Sequence, residues 1–152
     1  MPYTSADGRR QLLDTVAEAT EKLASALASL SEAYEQLDEH SADTVEQTLF
    51  RPVQAAYGRA QRAHAGFAER HGMLARGFEP AVAGAPSLGA RGFLDSAVSA
   101  IGEADRLLGT LQDSMLPVEV GDIALRADLE GIRTLLDGLG ARTRALERTL
   151  GR

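Results

Sequence analysis

Two histidines, His64 and His71, stand inside an apolar pattern and are the residues best placed to do chemistry in this chain. A buried imidazole must satisfy two ring nitrogens, and desolvation lowers its pKa. Such a ring is hydrogen-bonded, bound to a ligand, or a pH-sensitive weak point. Seven residues apart on one helix, the two are separated by roughly 10.5 Å, too far to ligate one ion together. A di-iron carboxylate bundle places a glutamate three residues before each inward histidine. Leu37, Gln61 and Ala68 occupy those places before His40, His64 and His71, so neither that centre nor any other metal or cofactor is expected. The partners expected for the rings are Thr143 for His71, in a polar layer, and Asp105 or Glu103 for His64. His64, His71 and Thr143 form the candidate site for a small ligand or for pH sensing.

Other signatures are weaker. Ala85-Pro86-Ser87-Leu88-Gly89 has the spacing of a nucleophile elbow, but that motif needs a strand before it, and none is expected here. The single lysine, Lys22, follows Glu21 rather than a glycine-rich loop, which excludes a phosphate cradle of the usual form. With no cysteine there is neither disulfide nor thiolate chemistry, and the composition fits a reducing compartment. No catalytic residue is assigned.

The elements that must hold these residues are helices. Four stretches repeat apolar residues at alternating spacings of three and four. They run Leu13 to Leu37, Phe50 to Leu74, Leu94 to Met115 and Leu125 to Leu150, with His64, His71 and Thr143 at seam positions. Each covers roughly 32 to 38 Å as a helix, the matched lengths of a four-helix bundle. The expected fold is therefore all-α: an up-down-up-down antiparallel four-helix bundle with coiled-coil-like heptad seams. One domain, 1–152, is expected, with helices at about 5–39, 43–72, 91–115 and 122–150 and a loop rich in glycine and proline at 72–92. Level pairing of Leu37 with Phe50, Leu74 with Leu94 and Met115 with Leu125 sets His64 against Ala104 and His71 against Ala97.

Capping pairs are expected at Thr4 with Asp7 and at Asp43 with Glu46, an N-cap at Asp122 and a helix end at Gly151. Pro52 leaves two readings of the second helix, a kink or a start within its first turn. The long loop has two as well, a loose crossover or an ordered lid anchored by Phe78 and Leu88.

The net charge of −6 divides along the chain as −7 for residues 1–50, +4 for 51–92, −5 for 93–122 and +2 for 123–152. Acidic and basic helices then become neighbours, and no nucleic-acid partner is expected. No membrane span or leader is expected either, and the cytoplasm is the expected location. Gly102 and Gly109 flank the third seam, and Gly131 and Gly138 the fourth. Helical glycine costs about 1 kcal/mol against alanine, so these four mark close approach of the third and fourth helices, a groove for a partner, or compositional bias, and Gly138 with Gly140 offers a break in the fourth helix. The leading expectation is a non-enzymatic bundle that binds another protein or its own copy as a homodimer, through that groove or through the arginine face carrying Arg59 and Arg62. Ligand binding or pH sensing at the histidines is second, and an enzyme third.

Overall fold

A computed structural model describes residues 5–150, apart from the side chains of Ser5 and Pro86. All regular structure among them is helical: α1 (Ser5–Glu35), α2 (Glu39–Val45), α3 (Arg51–Arg70), α4 (Gly89–Asp113), α5 (Leu116–Val120), α6 (Ile123–Leu136) and α7 (Leu139–Leu150). Thr4 and Gly151, two of the expected boundary residues, lie outside the described residues.

Helix α1 has no proline and, beyond Gly8, no glycine, so nothing interrupts its 31 residues. Its fully buried row is Leu12, Val16, Ala19, Leu23, Ala26, Leu30 and Ala33. The three-four alternation is the expected one, and Thr20 is fully buried beside Ala19, but Ala26 and Ala33 take the places read for Leu27 and Tyr34. Small residues there, with Ala97, Ala100 and Ala104 on α4, suit close backbone approach, and α1 with α4 is the most extensive helix pair.

The second helical stretch starts earlier than expected. Asp38, not Asp43, caps it, accepting from the Ser41 amide at 2.8 Å. Between α2 and α3 lies one wide turn, Glu46–Phe50, in which the Arg51 amide reaches back five residues to the Glu46 carbonyl. The cause is Pro52. It has no N–H for the Thr48 carbonyl, and the wide turn lets the helix pass without ending. The Thr48 carbonyl instead accepts from Arg142 Nη1 at 3.5 Å. The chain stays helical from Glu39 to Arg70, so Pro52 does not begin a separate helix.

Helix directions correct the expected up-down-up-down order. Tyr57 shares a cleft with Leu27 and Ser31, whereas His64 shares one with Leu13 and Ala17, so α3 runs antiparallel to α1. Lys22 pairs with Glu103 at 3.0 Å, and Gly8 abuts Leu116 and Val120, so α4 also runs antiparallel to α1. Helices α3 and α4 are therefore parallel to each other. Residues 71–88 make this possible by travelling back along the α1 and α3 surfaces: Leu74 and Arg76 line the cleft holding His64, and residues 80–83 line the cleft holding Tyr57. The long connection is thus a strap along the side, neither a loose crossover nor a lid over an end. It ends in a tight helical turn, Pro86–Leu88, before α4.

Asp128 and Asp122 of α6 meet Arg59 and Arg70, and Asp105 of α4 meets Arg133, so α6 is antiparallel to both α3 and α4. The packed long helices α1 and α3, α1 and α4, α3 and α6, and α4 and α6 are thus antiparallel, while α3 and α4 run the same way, unlike the expected order. The fourth column is itself interrupted: Asp137 is extended and Gly138 has φ 77°, which splits α6 from α7.

Candidate functional site

Helix α3 ends in two residues that reach across to the start of α6. Arg70 donates from Nε and Nη2 to the two oxygens of Asp122, each at 2.9 Å. His71 Nε2 lies 2.7 Å from Asp122 Oδ2, and the Leu125 amide donates to Oδ1 at 2.8 Å. A carboxylate only accepts, so His71 carries a proton on Nε2. Asp122 is thus the expected N-cap and also a four-bond hub. Burial alone would raise its pKa; the bonds from Arg70, Leu125 and His71 outweigh burial and hold it below the ordinary carboxylate range.

Thr143, the partner expected for His71, is elsewhere. It is fully buried and donates to the Leu139 carbonyl at 2.8 Å, one turn back in its own helix. His64 does not reach Glu103 or Asp105, which pair with Lys22 and Arg133. His64, His71 and Thr143 therefore do not converge. Helix α6 runs antiparallel to α3, which sets Asp122 rather than Thr143 level with His71, and Thr143 lies beyond the break at Gly138.

His64 is 2% exposed, and its Nδ1 has no hydrogen-bond partner. Phe78 of the strap stands edge-on to its ring, with centroids 5.1 Å apart at 82°. Arg76 lies 5.2 Å above Phe78 and pairs with Glu21 on α1. Phe78 is thus an anchor as expected, whereas Leu88 is exposed. Desolvation lowers the His64 pKa, against a smaller opposing pull from the Asp14 charge.

The four glycines of the expected groove are placed differently from one another. Gly109 lies under the Arg133 guanidinium and Gly131 under that of Arg59, so this chain's own arginines occupy those places. Gly102 faces open space, and Gly138 makes the left-handed turn between α6 and α7. Arg59 pairs with Asp128, and Arg62 folds back over Gly58. The basic face is therefore partly spent on intramolecular contacts, as the charge alternation implied.

Sequence reasoning passed over two features. Glu147 on α7 is buried, and its Oε1 has no partner; burial first, and the neighbouring Asp95 second, raise its pKa. At the corner of α5 and α6, Met115, Val118 and Ile123 are 54%, 44% and 76% exposed. Val118 and Ile123 line a cleft of about 460 Å³ with Arg126, Ala127 and Glu130. Met115, read as the last seam residue, has φ 65° and is the one non-glycine residue with positive φ among those described. The spacing of an apolar residue beside Pro117 and Gly121 carried no sign of that reversal.

Among the described residues no group of three His, Asp or Glu side chains is placed to hold a metal ion, and no helix is long and apolar enough to cross a membrane. Compared with family models, curated proteins and solved structures, the chain matches none.

Proposed function

We propose that this chain is a non-enzymatic helical-bundle protein that acts by self-association, two copies meeting through the corner where α5 turns into α6. The exposed Val118 and Ile123, which line one cleft, carry this reading, with exposed Met115 three residues before Val118. Single apolar side chains on a surface are ordinary, whereas contiguous ones rimmed by polar groups mark interaction sites. Arg126 and Glu130, one turn apart, supply that rim with opposite charges. A two-fold axis that sets Arg126 of one copy opposite Glu130 of the other pairs both charges twice, the self-complementarity that an isologous dimer needs.

Met115 adds to the argument. A left-handed methionine costs about 1 to 2 kcal/mol, and such strain is retained where a surface must hold a particular shape. In this reading the helices act as one four-column bundle with knobs-into-holes seams, and that bundle keeps the corner rigid. The cysteine-free composition fits action in the cytoplasm, and the charge of −6 argues against a nucleic-acid partner.

Light scattering against concentration tests the proposal. Twice the chain mass is expected by about 100 μM, and a V118E/I123E variant of unchanged helicity should remain single. A wild-type chain that stays monomeric at that concentration would remove the proposal.

A further inference from the structure

The cleft between α1 and the strap has a volume of about 350 Å³ and shares no lining residue with the cleft at the α5 and α6 corner. His64 lines it at 2% exposure, with Nδ1 unsatisfied. A buried ring nitrogen without a partner forgoes a hydrogen bond, and a ligand that supplies one recovers it. Asp14 and Glu18, one turn apart on α1, line the same space, and both are exposed at its mouth. Glu21 is already paired with Arg76, and the other charged residues that line the cleft are two acids, Asp14 and Glu18, and one base, Arg10. Carboxylates therefore outnumber guanidiniums among the residues that line the cleft with the unsatisfied nitrogen. An anion would meet these carboxylates, and a neutral apolar molecule would leave Nδ1 unpaired.

We propose that this cleft binds a primary alkylammonium group, whose three N–H bonds are directed at His64 Nδ1 and at the carboxylates of Asp14 and Glu18. The alkyl chain lies on Leu13 and Ala17, which line the same cleft. Leu74 of the strap, 94% exposed, stands at the rim, where an aliphatic chain in the cleft would cover part of it. An ammonium matches the site in number of donors as well as in charge. A quaternary ammonium has the charge without the donors.

The full-length chain is titrated with n-butylammonium chloride while the His64 ring proton is followed by NMR, with tetramethylammonium as the control. A saturable shift below about 50 mM is expected for butylammonium and none for tetramethylammonium. D14N, at an exposed position, should weaken binding about tenfold without loss of fold, the effect of removing one charge-assisted bond. H64F should abolish it. Nα-acetyl-lysine N-methylamide separates the sources: binding of both amines supports a lysine side chain as occupant, and binding of butylammonium alone supports a free amine. Equal shifts with tetramethylammonium, or no saturation with butylammonium, would overturn the proposal.

Discussion

His71 Nε2 lies 2.7 Å from Asp122 Oδ2, and through this contact the residue that closes α3 holds the N-cap of α6. Arg70, 52 residues earlier in the sequence, grips the same carboxylate with two bonds, so one buried acid joins α3 to α6. The charges also suit the helix ends, an anion at the start of α6 and a cation at the end of α3.

Replacing Asp122 by alanine removes a cap and leaves Arg70 and His71 without their acceptor. The expected loss is about 2 to 3 kcal/mol in urea unfolding, more than the roughly 1 kcal/mol of a cap alone. Because the folded-state pKa of Asp122 is depressed, its contribution is complete above the unfolded value of 3.8 and is lost as pH falls through the lower folded value. A wild-type acid transition that the Asp122→Ala variant reproduces unchanged would contradict this assignment.

His64 gives a second, separate pH dependence. Its pKa in the folded chain lies below 6.5, so the unfolded chain binds the proton first. Stability should therefore be level above about pH 7 and decline as pH drops from 6.5 toward the folded value. Urea midpoints measured at about pH 5.5 and 7.5 should differ for the wild type and differ less for His64→Phe.

These two histidines show how far the residues themselves could be read. Helices, their approximate ends, the Asp122 cap and the burial of His64 all follow from spacing and residue type. The partners of the rings do not, because they depend on helix direction. Apolar spacings of three and four read the same whichever way α4 points, and Leu23 and Ala104 fall near the middle of their helices in both. What decides between them is the strap. Phe78 docks on His64 and Arg76 on Glu21, contacts whose energy is invisible in a stretch that lacks periodicity. The shift of the α1 seam from Leu27 to Ala26 has a related cause: apolar periodicity favours large side chains, while close helix contact favours small ones.

Glu147 predicts a gain rather than a loss. Burial and Asp95 raise its pKa, so its protonated form is favoured in the folded chain. That contribution is full below the unfolded value of 4.5 and is lost as pH rises through the folded one. Glu147→Gln keeps the shape without the charge and should raise the thermal midpoint at pH 7 by a few degrees, roughly 1 kcal/mol, with a smaller change at pH 4. A lower midpoint at pH 7 would mean that the ionised carboxylate is held favourably by Arg91 or Arg144.

Met115→Gly separates stability from association. Glycine accepts φ 65° without a Cβ penalty, so the folded chain should gain about 1 kcal/mol. Removing the side chain should at the same time weaken dimerisation. Thermal unfolding at low concentration reads the first effect and light scattering at high concentration the second; a variant that loses stability would show that Met115 packs within its own chain instead.

The most direct test of self-association uses the absence of cysteine from the chain. Ala127 is exposed and shares the α6 cleft with Arg126, Glu130 and Ile123, so pairing Arg126 with Glu130 across a two-fold axis brings the two copies of Ala127 together. Ala127→Cys treated with a short bismaleimide is predicted to form a covalent dimer, while Ser25→Cys, exposed on α1, is not. Equal crosslinking at both positions, or none at Ala127→Cys, would contradict the proposed interface.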